Sequence, residues 1–230
     1  MEIIRKIQNK LDQPTDKAEI NQRTMKWTVG CIAILIAVLP DWFSTLDRPL
    51  TSISQSYFAG DLSRNIFVGF LFAISAFLLS YNGRTKKHLV CSRIAAAAAF
   101  GVAVVPCSCG GVGSCESSGG VLYAPIHYLS AAVMFGILLY FCHEFRMHAR
   151  EEECTESFWR ARVYRVCFWT MVFGIGLLLA NNFLVEYFPR VVFWGERIAL
   201  FGFGLCWLVA SHVFPYLTRK EGRHKLFAIK

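Results

Sequence analysis

A single all-α bundle of about six membrane-crossing helices, with both termini on the cytoplasmic side, is the fold this sequence predicts on three observations. Of its 230 residues 55% are hydrophobic and 17% charged, too apolar and too poor in charge for an ordinary water-soluble domain. Apolar stretches near the roughly 20 residues that cross a bilayer core of about 30 Å recur along the whole chain. The basic residues gather in alternate connections between those stretches.

The spans read at 25–43, 65–82, 89–106, 124–142, 164–184 and 193–215. The first runs almost unbroken from Trp27 to Pro40, and the third is nearly pure small residues, Ala95 to Ala99 followed by Gly101. Glycines at 69, 101, 136, 174, 176, 202 and 204 put a small residue in most spans, where helix backbones can approach closely. Trp27, Trp42, Trp159 and Trp194 fall near span ends, as an interfacial aromatic belt requires.

Around one domain, 25–215, lie a hydrophilic segment, 1–24, and a basic tail, 216–230. Ile3, Ile4, Ile7 and Leu11 repeat at helical spacing, which fits either a short helix on the membrane surface or a charged tail. The segment lacks the apolar core of a secretory leader, so no removable targeting segment is expected. The mixed-charge stretch 143–163 reads as a surface helix extension with solvated pairs, and no chemistry is assigned to it.

Orientation follows from Lys and Arg, which are retained on the cytoplasmic side of membrane segments. Segment 1–26 holds six, 82–93 four, 144–165 five and the tail after 215 five, which is 20 of 24 and includes every lysine. Arg48, Arg64, Arg190 and Arg197 are left for the other side. The formal charge of +8 therefore describes one face, suited to anionic lipid headgroups. No zinc finger, basic helix or aromatic-basic sheet motif accompanies it, so membrane lipids are the expected partners, with further copies of the chain, and nucleic acid is not. A cell membrane, in a bacterium the inner one, is the expected location.

Six of nine cysteines (31, 91, 142, 154, 167, 206) fall in spans or at the cytoplasmic face, where thiols stay reduced. The other three, Cys107, Cys109 and Cys115, share an outer loop, and an oxidising compartment favours one disulfide there, with Cys115 closing on Cys107 or Cys109. A metal site is the weaker alternative, since a fourth ligand is missing. The glycines at 110, 111, 113, 119 and 120 lack the strand, Gly-Lys-Ser/Thr and helix of a phosphate loop. No cofactor is expected.

Polar residues in or beside a membrane are costly and pair with one another or line a wet cavity. On the outer side Ser52, Ser54, Tyr57, Arg64 and Asn65 follow the first span, His127 opens the fourth, and Glu196 and Arg197 open the sixth. Adjacent on a helix, Glu196 and Arg197 point about 100° apart and need separate partners. Arg64 is the candidate for Glu196, Asp61 or Asp41 for Arg197, and Glu186 with Arg190 reads as a local pair. These residues form either an outward-facing pocket for a lipid or small polar ligand, or a set of structural pairs fastening the first outer loop over the helix ends.

A membrane hydrolase is the alternative, with His127 as general base for Ser52 or Ser54 oriented by Glu196 or Asp61, although no nucleophile-elbow sequence is present. Zinc is not expected at this face, because His88, His143, His148, His212 and His224 fall at the cytoplasmic side, without H-x-x-x-H spacing. A transporter ranks last, because the charges sit at span ends rather than near the midplane.

Several elements resemble uncharacterised bacterial multi-span proteins: Ser52-Ile-Ser54-x-x-Tyr57, Arg64-Asn65-x-Phe67-Val-Gly69, Tyr81-Asn-Gly83, His127-Tyr-x-Ser-Ala, Arg162-x-x-Tyr164-Arg-x-Cys167 and Phe193-Trp194-x-Glu196. Asn65 departs from that pattern, in which Asp is expected. More distantly the layout resembles the six-span damage-regulated autophagy modulator family, through Pro49-Leu-Thr-Ser52-Ile-Ser54, a His opening span four and a Glu in the last span. The resemblance implies a six-span fold and lipid-linked biology without a reaction.

Overall fold

The computed structural model describes residues 21–107, 120–152 and 154–218. Among these residues the only regular structure is helical, and six helices are long and apolar enough to cross a membrane. We number them α1 (Gln22–Ile36, continued by Leu39–Trp42), α2 (Asp61–Ser80), α3 (Lys86–Val104), α4 (Gly120–Glu151), α5 (Thr155–Leu179) and α6 (Val191–Ala210).

Local chemistry sets several ends. The Asn21 side chain accepts the Arg23 amide at 3.0 Å and caps α1. Pro40, which has no N–H to give, sits in the first turn of Leu39–Trp42, where α1 bends. Thr85 caps α3 by accepting the His88 amide at 3.2 Å. At 32 residues α4 is about 48 Å long, well beyond a bilayer core. The polar stretch after 142 therefore continues α4 to Glu151, and α5 begins at Thr155, before the span expected at 164. Hydropathy registers only the lipid-facing part of a helix, whereas the backbone ladder continues through the surface.

Consecutive helices pack on one another, and α6 returns to α1 to close the bundle while also touching α4. Within their most apolar windows, 56% of α6 is buried inside the bundle but only 22% of α5, so α6 is the central helix. Glycines allow this. A Cβ on Gly204 would stand 2.9 Å from the Gly30 carbonyl oxygen, and one on Gly30 would stand 2.8 Å from that of Gly204. The α5–α6 crossing repeats the device: a Cβ on Gly174 would lie 2.6 Å from the Gly195 carbonyl oxygen. Without a hydrophobic driving force between helices in lipid, such close backbone packing holds the bundle together. The close-contact role expected of glycine holds for Gly101, Gly174, Gly202 and Gly204, while Gly69, Gly136 and Gly176 face open space.

Large apolar side chains such as Phe72, Leu79, Phe100, Trp169 and Phe173 point outward as the lipid-facing belt. The alternation of six helices puts the start of α1, the 81–85 turn, the end of α4, the start of α5 and the end of α6 at one end of the bundle, the terminal end. The loops 43–60 and 180–190 lie at the opposite, loop end.

Candidate functional site

At the loop end, residues 43–60 fold back over the bundle. Glu196, in the first turns of α6, accepts the Ser54 hydroxyl at 2.8 Å and the Ile53 amide. The Phe193 amide donates to the Thr51 carbonyl at 3.0 Å, so α6 holds the same turn twice. Gln55, buried, accepts the Thr51 amide at 2.9 Å, and the Ser52 hydroxyl oxygen accepts the Gln55 amide at 3.1 Å. Leu50, Ile53 and Ala59 anchor the loop in the core. Gly60, at φ 97°, makes the turn into α2 against Thr45, where a Cβ would be 2.4 Å from the hydroxyl.

The ion pairs differ from those expected. Arg64 does not reach Glu196; it pairs with Asp61 at 3.1 Å one turn away, both side chains largely exposed. Asp61 and Arg64 share an exposed stripe of α2, whereas Glu196 faces inward. Arg197 pairs with Asp41 at 3.3 Å, one of its two candidates, and donates to the Ala37 carbonyl at 2.8 Å. Arg190 does not serve Glu186: it reaches the other Asp41 oxygen at 3.2 Å and the Leu50 carbonyl at 2.8 Å. Both guanidiniums flank the buried Phe193 ring, 4.0 and 4.3 Å from its centroid.

His127, 2% exposed, donates from Nδ1 to the Val105 carbonyl at 2.6 Å. Ser54 donates to Glu196 and Ser52 accepts from Gln55, so neither hydroxyl is joined to His127 as a hydrolase requires. Tyr57 is half-buried and Asn65 exposed. The loop-end residues thus divide into a Ser54–Glu196 clamp, an Arg197–Asp41–Arg190 bridge, a His127 anchor and the exposed Arg64 and Asn65. Cys107 is buried, and burial, with the Glu196 carboxylate adding, pushes its thiol up to about 12; Cys109 and Cys115 lie outside the described residues.

A polar cavity of about 100 Å³ opens at the other end of the bundle. Lys26 from α1, Tyr81 and Arg84 from the α2–α3 turn, and His88 from α3 form one side. His148 and Glu152 at the end of α4, Arg160 and Tyr164 of α5, and His212 after α6 form the other. The Lys26 ammonium lies 4.9 Å from the Phe145 ring centroid and 5.5 Å from that of Tyr81. Among the described residues no carboxylate comes within salt-bridge distance of it. The Tyr81 ring rests on Phe141 and Trp207, and Trp207 in turn packs on Phe203, an aromatic cluster in the core behind the cavity wall.

The acids here are already engaged. Arg160, its side chain 4% exposed, pairs with Glu152 and donates to the Leu217 carbonyl at 2.8 Å. This corrects the reading of 143–163 as merely solvated pairs: the chain reversal after α4 buries Arg160 under residues 215–218. His88 accepts the Arg84 amide at Nδ1, 3.3 Å away, which leaves its proton on Nε2 facing Glu144 at 3.0 Å. Its ring lies 5.7 Å from that of His148, so two terminal-end histidines meet without any ligand spacing in the sequence.

The cavity is electropositive. His212, in the left-handed region at φ 60°, is pushed down to about 3, first by burial and then by Arg160, Arg23, Lys26 and Arg84. Tyr81, whose phenol burial pushes up to about 12, stays protonated and able to donate. The lining comes from separate segments whose spacing carries no motif, so sequence reasoning did not assemble it. Two signals were available: a lysine inside the first turns of an apolar span, and His88, His148 and His212 converging on one side.

Comparison with family models, with curated proteins and with solved structures finds no match to this chain.

Proposed function

We propose that this chain is a membrane-embedded protein that binds or senses a lipid or small polar ligand, and that the terminal-end cavity receives the ligand's polar part. Lys26 carries this reading: a half-buried ammonium lines a polar cavity beside aromatic rings, and among the described residues no carboxylate lies within salt-bridge distance of it. Burying a charge without a partner costs several kcal/mol, a cost that an anionic group entering the cavity would offset. With both termini cytoplasmic, as the distribution of Lys and Arg supports, the cavity opens to the cytoplasmic leaflet rather than outward. A reporter fused to the C-terminus should be active only in the cytoplasm.

Filling the cavity tests the reading. Ala149, buried in its wall, is replaced by Leu, and wild type and variant are purified in mild detergent for native mass spectrometry. Wild type should carry a bound lipid or small molecule that Ala149→Leu lacks at equal monodispersity. The same bound mass in both would exclude this cavity. At the other face, the buried Cys107 and its two loop neighbours are proposed to hold one disulfide, and three freely alkylated thiols in the native protein would rule it out.

A further inference from the structure

We infer that the terminal-end cavity is an anion site for a phosphate group, held by the Lys26 ammonium with the Arg84 guanidinium at the mouth and the Tyr81 hydroxyl beside it. The inference rests on the reading of this cavity as a ligand site and names the ligand's chemistry. Among the described residues the lining carries three cations, Lys26, Arg84 and Arg160, against one carboxylate, Glu152, and Arg160 already holds that carboxylate. The nearby Glu144 is engaged by His88. Arg23 adds to the positive field felt by both Lys26 and His212. Like charges brought together at a partly dry site repel, and an entering anion relieves that repulsion along with the desolvation of Lys26.

Size and donor geometry narrow the anion. At about 100 Å³ the cavity is smaller than the roughly 300 Å³ at which sites for drug-sized molecules begin, so it takes a group rather than a whole molecule. A phosphate monoester presents three acceptor oxygens and a charge of about −1.5 to −2. That matches an ammonium, a guanidinium and a phenol lining one cavity from α1 and the α2–α3 turn better than a carboxylate with two oxygens does. A phosphomonoester lipid of the adjoining leaflet and a water-soluble phosphate share this chemistry.

The full-length protein in phosphatidylcholine nanodiscs provides the test, with phosphatidic acid added to the bilayer or inorganic phosphate added to the buffer, and thermal unfolding and equilibrium binding as readouts. Wild type should be stabilised and bind, and Lys26→Met should weaken binding about tenfold or more, as loss of a charge-assisted contact does. Lys86→Gln, exposed and outside the cavity, should bind as wild type does. A response to phosphatidic acid alone assigns a lipid headgroup, and a response to inorganic phosphate in plain phosphatidylcholine assigns a soluble anion. Should Lys26→Met aggregate, Arg84→Gln carries the same comparison from an exposed position. No response of wild type to either probe, or equal losses in Lys26→Met and Lys86→Gln, overturns the inference. If Ala149→Leu still expels a bound mass that proves neutral or zwitterionic, the cavity reading stands and the phosphate assignment fails; if Ala149→Leu changes nothing, both fail.

Discussion

Glu196 and Ser54 are 142 residues apart in the chain, and their side chains meet at 2.8 Å. With the Ile53 amide as second donor, this one carboxylate ties the turn at the start of Ser54–Phe58 to the head of α6. Removing it leaves two buried donors without an acceptor, each costing about 1–3 kcal/mol. Glu196→Ala should therefore lower stability by about 2–6 kcal/mol and open 43–60 to proteolysis. Ser54→Ala, which leaves the Ile53 contact intact, should cost less. Equal melting of Glu196→Ala and wild type in detergent would contradict the clamp.

Asp41 serves two arginines, one on each carboxylate oxygen. All three side chains keep some exposure to solvent, which screens the pairs, so the loss falls below the ~3–5 kcal/mol of a fully buried pair. Asp41→Asn should destabilise by about 1–2 kcal/mol. Removing Arg190 or Arg197 in the Asp41→Asn background should then add less than it does alone, which a double-mutant cycle measures directly. Strict additivity would mean that the bridge contributes nothing.

The glycine crossings predict a contrast within one helix bundle. Gly174→Ala puts a methyl 2.6 Å from a backbone carbonyl of α6 and must push the two helices apart. A cost of about 1–3 kcal/mol, read as a drop in melting temperature, is expected. Gly136→Ala, whose new methyl meets nothing within 4 Å, should be neutral or stabilising because alanine is the better helix former. Identical behaviour of the two variants would refute the close packing.

His212 predicts a pH dependence with a definite sign. Held down to about 3 in the fold by burial and by Arg160, Arg23, Lys26 and Arg84, it stays neutral there while the unfolded chain protonates near 6.5. Its contribution is therefore complete above about pH 6.5 and is lost as pH falls towards 3, by at most about 1.4 kcal/mol per pH unit. His212→Asn keeps a residue that tolerates φ 60° and removes the titration. Melting temperatures at successive pH values should fall less steeply in the variant than in wild type, and parallel curves would count against the assignment.

Sequence alone determined that the chain is a helical bundle, how many times it crosses, and where the crossings lie to within a few residues over most of its length. Those properties follow from local chemistry: a backbone in hydrocarbon must bond to itself, and about 20 apolar residues in a row have one economical way to do so. Adjacency on one helix also marked Glu196 and Arg197 as side chains needing separate partners, and Asp41 was among those named for Arg197. The tertiary structure decided which partners were taken. Depth along a span ranks residues by level but does not say which way around the helix each one points, so Arg64, level with Glu196, faces outward beside Asp61 while Ser54 takes the carboxylate. For the same reason Lys26, Tyr81, Arg84, Arg160 and His212 carry no shared pattern in the chain. They meet because α6 returns to α1 across backbone contacts that Gly30 and Gly204 permit, a closure that depends on three-dimensional packing rather than on the spacing of any residues in the sequence.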